Sequence, residues 1–278
     1  FGFYPFDGTT GDNLALDISG NGNDARLMNF DVNSCWVSGI INNGIQLNGI
    51  NQHINLGEIA DLGNLSNGAS FTLNTWIKIP DNVSTSANLD IFSNGGTINT
   101  PGTVIMSVAD KDGNNKAYLR SSLASDSSTI NTVVGTTDIS DNTWHMASTI
   151  YHSSNSAIQI YLDSVHQNTT TISNSISSFP TTSNSAIGSR NHTLDYFRGM
   201  MDEFRIYKTA LTTEELNTLY NYGTKTKGEI SFSVQNGDLT NELSSKVSTF
   251  TLDDEGALRN ITLKPASIHK LIGTYTTS

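Results

Sequence analysis

The chain of 278 residues has a single cysteine, few cations and no long apolar run. Because Cys35 has no second cysteine as a partner, an intramolecular disulfide is excluded, and a bound metal ion is the natural substitute for covalent bridges. No stretch of eighteen apolar residues occurs, so we expect no segment to insert into a membrane. Alternation of strands with long helices is also missing, which excludes an α/β fold.

The scarcity of cations limits the partners. Lys and Arg total 15 against 26 Asp and Glu, which gives a formal net charge of −11. This charge repels polyphosphate, so we expect no nucleic-acid partner. Only 15% of the residues are charged, while the uncharged residues Ser, Thr, Asn and Gly are abundant. This composition is typical of exported β-rich proteins, and it predicts an extracellular location: secreted, on a cell surface or on a virion. The chain opens at Phe1 without a basic and then apolar leader, so we expect a mature or excised piece.

Short segments with alternating apolar and polar residues dominate the chain, and turn residues separate them. Such period-two patterns rich in β-branched and aromatic residues predict half-buried strands, and their spacing is typical of an all-β sandwich or jelly roll. The strongest segments are 70–79, 103–109, 116–123, 143–151, 157–163 and 199–207.

One short helix is predicted over residues 212–222. Thr212 and Glu215 have the spacing of a capping box, and Leu211 with Leu216 has the spacing of a hydrophobic staple. Gly223 is then expected to end the helix.

A domain boundary is expected near residue 225. Residues 1–223 form the first domain, 224–228 a linker, and 229–278 a small β-rich segment with strand-like runs at 229–235, 247–252 and 257–263. About fifty residues make a small independent core. We therefore expect this segment to be a partial domain or a docking element that packs on the first domain or on another protein subunit.

Five phrases occur in a characteristic order: 4–27 (YPFDGTTGDNLALDISGNGNDARL), 44–57 (GIQLNGINQHINLG), 70–80 (SFTLNTWIKIP), 141–151 (DNTWHMASTIY) and 197–223 (FRGMMDEFRIYKTALTTEELNTLYNYG). Together they resemble the laminin-G-like, concanavalin-A-like jelly-roll family. The resemblance implies a jelly-roll β-sandwich. It leaves the function open, because this family hosts glycan binding, adhesion, protein contact and passive spacing on one scaffold.

The segment 17–24 alternates carboxylate and amide side chains with two glycines, and such hard oxygen ligands suit Ca²⁺. In the resembling family a structural calcium commonly lies near this turn and the closing strand. The resemblance therefore implicates Asp17, Asn21, Asn23 and Asp202 as calcium ligands. The alternative interpretation is that the same residues only build a tight turn.

Catalytic patterns are missing from the sequence. The Glu-x-Asp-x-x-Glu pattern of glucanases, a Gly-x-Ser-x-Gly elbow, a zinc-type His cluster and a phosphate loop do not occur. Trp76 and Trp144 lie in alternating strands and are interpreted as core residues, and His145 as a structural histidine. The sequence therefore predicts a protein that is not an enzyme.

Ligand-binding residues are expected in loops that a rigid sandwich presents. Arg190, His192, Tyr196 and Arg198 cluster in the sequence, and a guanidinium, an imidazole and a phenol together suit an acidic or sulfated sugar. Tyr118 and Arg120 share one face of their strand and form a second candidate. The alternative is a solvated loop with Tyr196 covering the core.

The sequence favours a non-catalytic carbohydrate-binding or adhesion module with a structural calcium and a glycan or glycoconjugate as its partner. The alternative function is a structural assembly component, for example of a virion or fibre, with the jelly roll as a spacer or host-contact domain.

Overall fold

A computed structural model describes residues 2–57, 69–81, 88–95, 97–110, 116–173, 176 and 184–224, together with four strands in the segment that follows. Two compact units are distinguished, Phe1–Tyr220 and Asn221–Ser278.

Sixteen strands form the first unit among the described residues. In chain order they are β1 (Gly2–Tyr4), β2 (Leu14–Ala15), β3 (Ala25–Met28), β4 (Trp36–Ser38), β5 (Asn43–Asn48), β6 (His53–Gly57), β7 (Phe71–Lys78), β8 (Leu89–Ser93), β9 (Val104–Ala109), β10 (Tyr118–Ala124), β11 (Ile130–Asp138), β12 (Trp144–His152), β13 (Ala157–Leu162), β14 (Val165–Thr171), β15 (Ser185–Ile187) and β16 (Arg198–Tyr207).

These strands form two antiparallel sheets. Sheet A has the order β14-β13-β12-β7-β16-β5-β4, with β1 also paired to β16, and sheet B has the order β11-β10-β9-β8-β15-β6-β3-β2. The apolar faces of both sheets meet in one core. This architecture confirms the predicted all-β jelly-roll sandwich.

The alternation of β7 shows how the sequence builds the two faces of sheet A. Phe71, Leu73 and Ile77 lie in the core between the sheets. Trp76 has the opposite parity, so it faces outward, where it is only 1% exposed because Tyr220 stacks on it with ring centroids 5.6 Å apart. The outer face of sheet A therefore has its own small apolar cluster under the helix.

The helix α1 spans Thr213–Thr224, and the structure confirms its predicted capping box. The Thr212 amide donates to the Glu215 carboxylate at 2.7 Å, and the Glu215 amide donates to the Thr212 hydroxyl at 3.2 Å. Leu211 and Leu216 lie in the same apolar cluster. The helix continues to Thr224, beyond the predicted end at 222.

The two side edges of the sandwich differ. At one edge, polar contacts join β11 to β14. The Thr136 hydroxyl donates to the side-chain oxygen of Gln167 at 2.9 Å, and the side-chain amide of Asn168 donates to the Val134 carbonyl at 3.1 Å. At the other edge, β4 ends sheet A and β2 ends sheet B. Residues 5–13, called the crossing segment below, leave sheet A after β1 and enter sheet B at β2.

The second unit contains four described strands in two antiparallel pairs. β17 (Ile230–Ser233) pairs with β20 (Ile272–Tyr275), and β18 (Val247–Leu252) pairs with β19 (Leu258–Leu263). Three of them fall on the strand-like runs recognised in the sequence. Across the described part of the chain, no helix has both the length and the apolar character needed to cross a membrane.

Candidate functional site

The Trp36 groove is an open cavity of about 400 Å³ at the edge of the sandwich where β4 and β2 end their sheets. The crossing segment, the residues around β2 and Trp36 contribute its lining. Its described lining consists of Pro5, Phe6, Asp7, Gly8, Gly11, Asp12, Asn13, Leu14, Ala15, Leu16, Ile18 and Trp36.

Two residues of the crossing segment hold the indole of Trp36. A Cβ atom at Gly8 would collide with the ring, so a glycine is required for the close approach of the backbone to the indole. The Trp36 Nε1 group donates to the Asp12 carbonyl at 3.2 Å. The ring is half-buried, so part of it faces the groove. A rigid, partly exposed indole is a suitable platform for the apolar face of a ligand.

Apolar walls and carboxylates surround this indole. Leu16 and Ile18 are 56% and 55% exposed, so both offer apolar surface to a ligand in the groove. The exposed Asp7 accepts a hydrogen bond from the Asn43 amide at 3.1 Å. The exposed Asp12 accepts the Thr9 amide at 2.6 Å. The groove thus combines an aromatic face, apolar contacts and hydrogen-bond acceptors, as small-molecule sites do.

Sequence reasoning did not select Trp36. The residue lies in a strand of only three residues and has no alternating apolar neighbours, unlike Trp76 and Trp144. A tryptophan outside a long alternating segment is the signal that distinguishes it. The exposure of Leu16 and Ile18 follows from their place at a sheet edge, which the sequence pattern does not encode.

Arg190, the first predicted ligand residue, is held by two carboxylates. Its Nε donates to Asp90 at 2.9 Å, and its Nη2 lies 2.7 Å from Asp195. Burial raises the pKa of Asp90 to about 7, although the Arg190 charge opposes this shift. The guanidinium therefore compensates a fully buried carboxylate.

The structure brings His192 and Tyr196 together beside Arg190. The His192 ring stacks on His53 with centroids 4.7 Å apart, and the Tyr196 hydroxyl donates to the His192 carbonyl at 2.7 Å. Arg198 is exposed on β16, where its stem packs against Gly49. The contacts of Arg190 and Tyr196 lie within the protein and stabilise the loop.

The two residues of the second predicted pair differ in burial. Tyr118 is buried, and Arg120 is half-buried with Nη1 donating to the Asn88 side chain at 2.8 Å. Arg120 also contributes to the electrostatic environment of Asp90. The ligand role of all six residues stays a prediction.

Three of the predicted calcium ligands share one turn. Asp17 accepts the backbone amides of Phe3, Ser19 and Asn23 at 2.9–3.1 Å. Burial alone would raise the pKa of Asp17, but these hydrogen bonds, together with the Ser19 hydroxyl, outweigh burial and lower it. Asn21 is exposed and donates to the Ser19 hydroxyl at 2.9 Å. The carboxylate of Asp17 thus organises the turn and holds β1.

Asp202 lies elsewhere, on the outer face of sheet A. Its Oδ2 accepts the Ile41 amide at 3.0 Å, whereas its buried Oδ1 has no hydrogen-bond partner among the described residues. A Cβ atom at Gly39 would collide with both Asp202 Oδ2 and the Asn43 carbonyl oxygen. Burial raises the pKa of Asp202 to about 8, and the charge of Asp7 adds to this effect. The Oδ2 atom of Asp202 and the Asn43 carbonyl oxygen therefore lie near each other beside Gly39. Carboxylate and carbonyl oxygens are ligands that suit a hard cation such as Ca²⁺.

No group of three or more His, Cys, Asp or Glu side chains that could hold a metal ion is found among the described residues. A cation near Asp202 would therefore depend partly on backbone carbonyl oxygens.

A family model of the laminin G type, described as the concanavalin A-like lectin/glucanases superfamily, matches residues 48–217. The match covers more than half of the chain. This chain belongs to the concanavalin A-like lectin/glucanases superfamily. The family assignment confirms the resemblance read from the five sequence phrases.

Solved structures with this concanavalin A-like fold are similar at low identity. Domain 4 of a GH43 extracellular arabinanase from Geobacillus stearothermophilus, in complex with arabinotriose, is 23% identical with a TM-score of 0.55; the match covers 79% of this chain and 97% of that domain. The binding domain of Paraclostridial Mosquitocidal Protein 1 is 18% identical (TM-score 0.58, 80% and 51% covered). The Ruminococcus gnavus IT-sialidase CBM40 is 16% identical (TM-score 0.51, 64% and 96% covered). A search of curated proteins finds no significant match.

His145 of this superfamily member joins β12 to the turn before β14. Its Nδ1 lies 2.8 Å from Asp163, and its Nε2 lies 3.2 Å from Asp141. The hydrogen bond to Asp163 raises the pKa of His145, with the Asp141 carboxylate contributing in the same direction.

This arrangement predicts a pH-dependent stability. The pKa of His145 is raised above its unfolded value of about 6.5, so its protonated form stabilises the fold below that pH, and the contribution is lost as pH rises through the folded pKa. For this partly exposed pair we expect a contribution of up to about 1 kcal/mol. Urea unfolding at pH 5.5 and 8.5 should show a smaller pH dependence in His145→Gln than in the wild type. His152→Gln is the matched control, and an unchanged pH dependence in His145→Gln would contradict the assignment.

Proposed function

We propose that this chain is a non-catalytic carbohydrate-binding module of an extracellular or surface-displayed protein, and that the glycan binds in the Trp36 groove. The observation that carries the proposal is the rigid, half-buried indole in an open cavity with exposed apolar walls and carboxylate acceptors. Sugars present apolar C–H faces and a ring of hydroxyl groups, and both features have complementary groups in the groove.

The superfamily and the similar structures support this proposal at the level of the fold. One similar domain was solved with arabinotriose, and the CBM40 was also solved with α2,3-sialyllactose. A binding domain of botulinum neurotoxin serotype D is another similar structure, 14% identical with a TM-score of 0.56. Several of these similar structures are therefore binding domains.

The carboxylates in the groove are poorly suited to glycoside hydrolysis. A glycosidase needs one carboxyl group with a raised pKa as the general acid. Hydrogen bonds from the Thr9 amide and hydroxyl lower the pKa of Asp12. Asp7 accepts the Asn43 amide and the Asn42 side chain. These contacts favour binding over catalysis.

The direct test is a glycan array with the purified chain. Reproducible binding supports the proposal, and incubation of the bound glycans should release no product. A blank array would favour the alternative of a structural assembly component that docks through residues 229–278. The side chains of that segment lie outside the described residues, so that alternative stays a prediction.

We also propose a structural calcium, held by Asp202 and Asp7 together with the Asn43 carbonyl oxygen. Ca²⁺ would compensate the buried carboxylate of Asp202 and fix the 39–43 turn against β16. In this arrangement Asp17, Asn21 and Asn23 build their turn without the ion. The support is the buried Oδ1 of Asp202, which has no hydrogen-bond partner among the described residues, and the Asn43 carbonyl oxygen, which lies near the other carboxylate oxygen of Asp202 beside Gly39.

Calcium is expected to raise the melting temperature by several degrees relative to EGTA, because an ion bound only to the native state stabilises it by mass action. Asp202→Asn should remove this calcium-dependent shift. Asp17→Asn is the control: it should lower the melting temperature equally in calcium and in EGTA. A calcium shift that persists in Asp202→Asn and vanishes in Asp17→Asn would return the site to the 17–24 turn.

A further inference from the structure

We propose that the Trp36 groove binds uncharged glycans more tightly than glycans that carry a carboxylate or a sulfate. This inference rests on the proposed function and adds the charge class of the ligand. It differs from the sequence-based expectation of an acidic or sulfated sugar, which rested on Arg190, His192, Tyr196 and Arg198, because it concerns another site and because Arg190 is engaged by Asp90 and Asp195.

The first element of the argument is the position of Asp12. Its backbone carbonyl accepts the indole Nε1–H of Trp36, so the residue lies at the edge of the aromatic platform. Its carboxylate is held by Thr9, whose amide and hydroxyl lie 2.6 and 3.0 Å from Oδ2. A sugar stacked on the indole therefore comes near a fixed negative charge.

The second element is the absence of a compensating cation. Among the described residues that line the groove, none is Lys, Arg or His, and Asp7 adds a second carboxylate. The nearest cation by strand register is Arg26, the exposed partner of Leu14 on β3. The whole chain adds to the repulsion with its net charge of −11.

The third element separates the effect of Asp12 from the proposed calcium. A calcium ion bound to Asp7 would neutralise that carboxylate, but it would leave Asp12 charged, because Asp12 is not among the proposed ligands. The discrimination attributed to Asp12 should therefore appear both in calcium and in EGTA.

The expected size of the effect follows from Coulomb's law. Two unit charges about 4 Å apart in water repel by about 1 kcal/mol, which corresponds to about a fivefold change in affinity. If the anionic group of the glycan lies about 4 Å from the Asp12 carboxylate, the anionic glycan should bind about fivefold more weakly than its neutral counterpart.

The experiment uses an array with matched pairs, each a neutral oligosaccharide beside its sialylated or sulfated form, read in calcium and in EGTA. We expect the neutral member of each bound pair to give a stronger signal than the anionic member. Asp12→Asn removes the charge but keeps an oxygen that can accept from Thr9, so whatever its effect on the neutral member, it should narrow the difference in affinity within a pair about fivefold. Raising the salt concentration should narrow the same difference in the wild type, which tests the charge effect without a substitution.

Asp31→Asn is the matched control. Asp31 also caps a turn, with the Asn33 amide at 3.1 Å, but it does not line the groove, so its substitution should leave the difference unchanged. Equal or stronger binding of the anionic members would overturn the inference while leaving the proposed function intact. If Arg26→Ala then abolished that anionic binding, Arg26 would be the group that captures the anion. An array on which no glycan binds would overturn both proposals.

Discussion

Trp36→Ala is expected to weaken glycan binding by at least about 30-fold. Tryptophan anchors in desolvated pockets commonly contribute 2 kcal/mol or more, and this loss corresponds to a factor of about 30 in the dissociation constant. The indole is the only aromatic group besides Phe6 among the described groove residues, and Phe6 is buried in the core. No other described side chain of the groove can therefore replace its exposed face. Titration of an array-positive oligosaccharide by calorimetry measures the effect.

The control for this substitution is Trp144→Ala. Trp144 is also half-buried, but it packs in the apolar cluster beside the helix. It should cost stability and leave the affinity unchanged. Because Trp36 also packs against the core, Trp36→Leu provides a variant that keeps apolar volume, and its melting curve shows whether the fold persists. Unaltered affinity in folded Trp36→Leu would place the glycan outside the groove.

Arg190→Ala is expected to destabilise the domain by about 3–5 kcal/mol. Asp90 is fully buried, and removal of its partner leaves a buried carboxylate without compensation. For a domain of this size the melting temperature should fall by roughly 10 °C. Because Arg190 lowers the pKa of Asp90, its removal raises that pKa above about 7. The loss of stability in Arg190→Ala should therefore grow as the pH rises above neutral, and melting curves over this pH range measure it.

Two further variants test the origin of this loss. Addition of Asp90→Asn to the Arg190→Ala chain removes the buried charge and should recover part of the stability. Arg198→Ala, at an exposed position of β16, should change stability by less than about 1 kcal/mol. The remaining folded Arg190→Ala protein should bind neutral glycans normally. Selective loss of binding with unchanged stability would restore Arg190 as a ligand residue.

Much of the fold was predictable because local chemistry and burial agree. In β7 and β12, alternating side chains enter the core between the sheets, and the run of apolar, β-branched and aromatic residues marks both strands. The helix was predictable for the same reason: Thr212 and Glu215 satisfy its first amides through a local motif. Such features depend on neighbours in sequence.

The candidate site was less predictable because its groups meet only through tertiary structure. Asp90 lies one hundred residues before Arg190, so the sequence pattern of the 190–198 loop did not show that its arginine is already paired. Asp202 and Ile41 of the 39–43 turn are 161 residues apart. Trp36 becomes distinctive only because Gly8 brings the crossing segment against its ring. The secondary-structure propensity of a short segment carries no information on such contacts between residues that are distant in sequence.

The crossing segment has a mechanical consequence. It begins at β1, which is hydrogen-bonded to β16 in sheet A, and it ends at β2, which is hydrogen-bonded to β3 in sheet B. A tethered glycan that pulls on the groove would therefore load both layers of the sandwich at once. Short β1 and β2 ladders, of three and two residues, would be the first connections to yield under tension. The strength of attachment under flow would then be set by these two ladders as well as by the contacts of the sugar itself.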